Sequence, residues 1–119
     1  MPSNIPAQRF QDIIDSIEAI RSYLSTTTRE KFARGGMVYD ATSYSFLRLA
    51  EAAIKLGDLA EQLAPDIPWS NIRGLGNHLR HAYDGIDAGV LWDAAELEFA
   101  ALEAACREAI ATLDGDQDE

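Results

Sequence analysis

Apolar residues return every third or fourth position along almost the whole chain, the period that lays one face of an α-helix on a core. Phe10, Ile13, Ile14, Ile17, Ile20 and Leu24 keep this spacing and predict a first helix over 6–25, with Pro6 in its opening turn. Thr27 with Glu30 three residues on reads as a capping box for a short turn carrying Phe32, and Gly35-Gly36 breaks the chain. A second helix is expected over 38–63. Val38, Leu49, Ala52, Leu56 and Leu63 form its stripe, while Phe46, Leu47, Ala50 and Ile54 lie off it. A helix apolar on most sides needs cover on most sides, and a second chain is the natural cover in a small domain. Arg48, Glu51 and Lys55, at i, i+3 and i+7, are placed to pair with one another.

Pro65 and Pro68 end that helix and open a third, expected over 69–83, with Gly74 and Gly76 inside and Gly85 closing it. Trp69, one residue after Pro68, reads as a packing anchor. Asp87 suits the N-cap of a fourth helix over 88–112, where Val90, Ala94, Leu97 and Ala101 share a face and Leu102, Cys106, Ala109 and Leu113 continue the core side. Strand signals, internal repeats and low-complexity linkers are missing. The expectation is one all-α domain over 1–112, an antiparallel four-helix up-down bundle, followed by an acidic, polar tail over 113–119.

With 119 residues, 47% hydrophobic and 25% charged, the chain can bury a core as a single globular domain. No apolar run approaches the ~20 residues a membrane helix needs. The start, Met1-Pro2-Ser3-Asn4, has neither the charge nor the apolar run of a signal peptide. The lone Cys106 cannot form an internal disulfide, which suits a reducing cytosol. A cytoplasmic protein is expected.

The net charge of −10 is unevenly placed: nine acids balance nine bases over 1–83, and eleven acids face only Arg107 over 84–119. Broad phosphate contact with long nucleic acid is therefore not expected, and a nucleic-acid substrate would be held locally. Between Asp66 and Asp84 there is no carboxylate at all. This window holds both histidines, His78 and His81, with Arg73 and Arg80. At about 100° per residue, Arg73, Asn77, Arg80 and His81 fall in one stripe flanked by His78 and Tyr83.

An imidazole titrates near neutral pH and can take or return a proton, while a guanidinium clamps phosphate. That pair is the smallest kit for cleaving RNA through its own 2′-hydroxyl. Each residue also has a plainer reading: the histidines as surface groups, the arginines as partners of the acids in the fourth helix, Tyr83 as an interface aromatic, Asn77 as a structural hydrogen-bonder. A metal reading is weak, because Asp84 falls about 120° off the face of His78 and His81. No glycine-rich nucleotide loop is present, since Gly74-Leu75-Gly76 follows no strand, and no cofactor is expected. Cys106, inside an apolar stripe, reads as core.

Several stretches carry a likeness: 9–20, Asp40-Ala41, Ala50-Glu51-Ala52-Ala53 and Ile67-Pro68-Trp69. The strongest is Gly76-Asn77-His78-Leu79-Arg80-His81-Ala82-Tyr83, followed by Ile86-Asp87. Over about residues 9–112 the chain resembles the HepT-like branch of the HEPN superfamily, whose pattern is Arg, four to six variable residues, His, any residue, Tyr. The resemblance implies a two-fold homodimer of four-helix bundles with its sites in the dimer cleft. It implies a metal-independent endoribonuclease acting as the toxin of a HEPN/MNT pair. Its antitoxin is an MNT-type nucleotidyltransferase that adenylylates the motif tyrosine, here Tyr83. Carried over by position, Asn77, His81 and Tyr83 match; the family arginine just before the Asn is Gly76 here. Either Arg73, one turn earlier, with Arg80 in support, takes its place, or nuclease activity is weakened and the cleft only binds a nucleotidyltransferase or a nucleotide. The assignment is His81 as general acid/base, Arg73 and Arg80 on the phosphate, Asn77 orienting His81, His78 as a possible substrate contact, and Tyr83 as the antitoxin's target.

Overall fold

The computed structural model describes residues 5–81 and 87–117. Among them the chain is all helix, with no strand: α1 Ile5–Leu24, α2 Arg29–Ala33, α3 Met37–Leu56, α4 Asp58–Leu63, α5 Trp69–His81, α6 Ala88–Leu97 and α7 Phe99–Gln117. Tyr83, Asp84 and Gly85, which the sequence places at the end of the third helix, lie outside the described residues. Among the described residues no helix is long and apolar enough to cross a membrane.

The stripe of α1 becomes the centre of the core. Phe10, Ile13, Ile14, Ile17 and Ile20 are fully buried, facing α3 on one side and α7 on the other. From α3 come Phe46, Leu49, Ala52, Ala53 and Leu56; from α7, Phe99, Leu102, Cys106 and Ala109. Phe46 meets Phe99 with ring centroids 5.5 Å apart, and Phe32 fits between Tyr39 and Trp92. Burying side chains of this size, at roughly 1.5–3 kcal/mol each, is the main favourable term holding the helices together. Burial also pushes the Cys106 thiol up to about 12, which leaves it an inert core residue, as its apolar setting predicts.

The structure corrects the sequence-based picture at several points. The second helix does not run unbroken to Leu63. Gly57 adopts φ 58 and ψ −143, which ends α3 and starts α4 at a backbone conformation that disfavours a side chain. The fourth helix is divided at Glu98, where the ladder bends without ending: Glu98 N–H donates to Ala94 O, and Glu98 O accepts from Leu102 N–H. The cap of α2 is Thr28, one residue later than expected, accepting from Lys31 N–H. Helix α7 continues through Asp114 and Gly115 to Gln117, so the start of the expected tail is helical. Asp87 caps α6 as its position predicts, accepting from Gly89 N–H at 2.8 Å.

The cover for α3 also differs from expectation. Helices α1 and α5 of the same chain pack on it from two sides, so its apolar breadth does not by itself call for a second chain. Nor do Arg48, Glu51 and Lys55 pair along the helix. Glu51 reaches instead to Arg80 on α5. The acids of α6 and α7 are met in part by the N-terminal half, Asp93 by Arg29 and Glu103 by Arg21, and Glu103 also by Arg107 of its own helix. Those guanidiniums hold both carboxyls below their usual range.

Candidate functional site

Helix α5 packs chiefly on α3, which leaves much of its circumference uncovered. Pro68 precedes it, and the Pro68 carbonyl accepts from the N–H groups of Asn71 and Ile72, closing the first turn. Trp69 is buried edge-on to Phe10 with centroids 6.4 Å apart, and its indole N–H donates to Ala64 O at 2.9 Å. The sequence reading of Trp69 as an anchor agrees with this. Gly76 is the other buried residue of α5. A Cβ there would stand well inside contact distance of the Ala50 Cβ, so the missing side chain is what lets α5 approach α3. The position where the family pattern has arginine thus faces a neighbouring helix in this chain.

Arg73 is placed in a structural role. Its Nε donates to Ala53 O at 3.1 Å and its Nη2 to Gly57 O at 2.9 Å, while both Nη atoms grip the Glu61 carboxylate at 2.7 and 2.9 Å. Carbonyls at a helix C-terminus lack intrahelical partners. Here Gly57 N–H turns to Ile54 O, leaving the Ala53 carbonyl to Arg73. One guanidinium therefore caps α3 and fastens α4. Its hydrogen bonds hold Glu61 below the usual carboxylate range, and Glu61 in turn raises Arg73.

The last turn is built differently. Asn77, His78 and His81 are exposed, and Arg80 is exposed with Glu51 as its carboxylate partner. Arg73 and Arg80 thus share an edge of the helix without sharing a task. Among the described residues, neither pairs with the C-terminal acids. The two glutamates that fix them, Glu51 and Glu61, have no local signal in the sequence, since the contacts join separate helices. Tyr83 lies outside the described residues. Among those described, no group of three or more His, Cys, Asp or Glu is arranged to hold a metal ion.

A groove of about 760 Å³ opens between α5 and the α6–α7 arm, floored by Phe46 and Leu49 and walled by Ile72, Leu75, Val90 and Leu97. His78 lies in its lining; Asp66, Asp87 and Glu98 are its acids. The arrangement offers exposed imidazoles and a guanidinium within one turn at a helix end, with His78 on the side of an apolar cleft.

These features describe an all-α protein that displays two imidazoles and a guanidinium on one exposed turn. Residues 13–109 match the model of the ribonuclease HepT-like family, and the chain belongs to that family. Among curated proteins it is 30% identical over 86 residues to a probable ribonuclease HepT of Thermococcus cleftensis, spanning 69% of this chain and 74% of that one. It is 27% identical over 81 residues to a putative RNase of Methanocaldococcus jannaschii, spanning 68% of this chain and 74% of the relative. No solved structure matches it significantly.

Proposed function

We propose that this protein is a metal-independent endoribonuclease, the toxin of a HEPN/MNT pair, working in the cytoplasm as a two-fold dimer of four-helix bundles. The observation that carries the reading is the last turn of α5. In a chain of a ribonuclease family, His81 and His78 stand exposed in the same turn as Arg80, their rings held by no partner among the described residues. His81 takes the proton of a ribose 2′-hydroxyl as that oxygen attacks the adjacent phosphorus. The P–O5′ bond breaks, and the departing oxygen receives a proton from an imidazolium. The products are a 2′,3′-cyclic phosphate and a 5′-hydroxyl. Arg80 exchanges Glu51 for the phosphate and neutralises charge gathering on its oxygens. Asn77, one turn before His81, orients it, and His78 contacts substrate from the groove side. Arg73 belongs to the fold, because withdrawing it would leave the Ala53 carbonyl without a donor and Glu61 without its ion pair. Tyr83, two residues past His81, is the adenylylation target of a nucleotidyltransferase antitoxin. The apolar wall of the groove, with Val90 and Leu97 half or more exposed, supports a second subunit closing over this end of α5.

One observation favours a second reading, a HEPN module that binds its nucleotidyltransferase or a nucleotide without cutting RNA. Gly76 holds the place of the family arginine, and Arg73 is already engaged. An RNA cleavage assay with chelator present separates the two. The wild type should cleave, and His81→Ala should lose about 10²–10⁴-fold in rate with its thermal midpoint unchanged. A wild type that leaves RNA intact points to the binding module.

A further inference from the structure

The outward stripe of α3 touches the site just described only through Glu51, the partner of Arg80. Tyr44, Arg48, Glu51 and Lys55 fall on it within a narrow arc, because their spacings of four, three and four keep one face of the helix. Tyr44 is 62% exposed, and Arg48 and Lys55 are exposed. Neither cation has a carboxylate partner among the described residues, whereas Arg21, Arg29, Arg73 and Arg80 each do. Helix α1 borders the stripe and contributes Arg9 to a groove of about 320 Å³ that also holds Tyr44, Arg48, Glu51 and Lys55. The groove's acids are Asp12, set against Arg9 at 3.7 Å, and Glu51, taken by Arg80. In a chain of net charge −10 this leaves a local surplus of positive charge around an exposed aromatic ring.

The groove meets the site at one residue. Glu51 is at once its wall and the partner of Arg80, the residue beside His81. Cations that track a phosphate chain, with an aromatic face on which a base can stack, are the elements of single-strand recognition. A duplex keeps its bases stacked inside and offers Tyr44 nothing to stack on.

We propose that the groove between α1 and α3 holds a single-stranded segment of the RNA substrate. Arg9, Arg48 and Lys55 lie along its phosphates, Tyr44 stacks on one base, and the strand leads over Arg80 to His81. The assignment rests on the ribonuclease reading for its ligand and extends it from the scissile bond to the strand beside it.

The test uses the full-length His81→Ala protein, so that bound RNA stays intact, and a fluorescent single-stranded RNA oligonucleotide read by anisotropy across a salt series. Arg48→Glu combined with Lys55→Glu should weaken binding by more than about tenfold at low salt. The salt slope should fall by about 1.4, at about 0.7 for each phosphate no longer neutralised. Tyr44→Ala should weaken binding about 5- to 150-fold with little change in slope. A duplex of the same length should bind more weakly than the single strand. All the substituted side chains are exposed, and circular dichroism checks that the variants stay folded. Unchanged RNA affinity in the double variant overturns the proposal, and a shift in its elution volume would then assign the groove to a subunit interface. Equal affinity for duplex and single strand overturns it as well. Failure of the ribonuclease reading looks different: the protein with His81 intact leaves RNA whole, while the groove variants still lower RNA binding.

Discussion

At the N-terminal end of α5, Trp69 is sealed under Phe10 and Arg73 is tied by four hydrogen bonds to two carbonyls and one carboxylate. At the C-terminal end, Asn77, His78 and His81 stand in solvent, and Arg80 has one part-exposed glutamate. The same helix, with the same kinds of side chain, is structural at one end and available at the other. An arginine that is the donor to a helix-end carbonyl, as Arg73 is to Ala53, cannot turn to a ligand without leaving that acceptor bare. An arginine in an exposed ion pair worth at most about 1 kcal/mol can exchange its partner for a phosphate. Residue type alone does not separate the two arginines; their partners do.

The sharpest way to break the contrast is at the anchor. Trp69→Ala should cost about 3–5 kcal/mol, read by chemical denaturation, since it empties a buried site and removes the indole hydrogen bond to the Ala64 carbonyl. A loss below about 1 kcal/mol would mean that α5 is held by something other than its first turn.

Next come the two arginines. Arg73→Ala should cost about 1.5–3 kcal/mol of stability through the uncapped end of α3. Arg80→Ala should cost less than about 1 kcal/mol, yet slow RNA cleavage. Equal stability losses in the pair would erase the distinction drawn between them. Gly76→Ala is expected to destabilise by about 1 kcal/mol net. Forcing α5 away from Ala50 costs about 1–3 kcal/mol and outweighs the helix-propensity gain of at most about 1. A stabilised variant would show that the two helices separate freely.

The smallest effect is in acid. Arg73 holds Glu61 below the ordinary carboxylate range. The unfolded chain then takes up this proton more readily than the folded one, so the contribution is present above the ordinary Glu value of about 4.3 and is lost as pH falls through the folded value. The difference in thermal midpoint between wild type and Glu61→Gln should therefore shrink on going from about pH 6 to about pH 3. A constant difference would detach Glu61 from the Arg73 cap.

Much of this architecture is written locally. The six apolar positions of α1, the anchor at Trp69, the cap at Asp87 and the buried thiol of Cys106 each follow from spacing or composition within a few residues, and each stands where the sequence places it. The break at Gly57 is half legible: a glycine marks it, but only the positive φ makes it a stop. The site divides the same way. An acid-free window with two histidines and two arginines is plain in the sequence, and its last turn is exposed. Which arginine is free is not, because Glu61 and Glu51 approach from other helices.

What the sequence determined by itself is therefore the helical class, the faces that must be buried, the family, and the candidate chemistry of α5. All of these are properties of neighbours along the chain, where a period of 3.6 residues fixes which side chains share a face. Only the tertiary structure decided that Arg73 caps α3, that Gly76 opens a path for Ala50, and that Glu51 joins Arg80 while Arg48 and Lys55 pair with no carboxylate among the described residues. Each of those outcomes depends on the approach of two helices across the core, and the distance between their side chains is set by packing that no local pattern encodes.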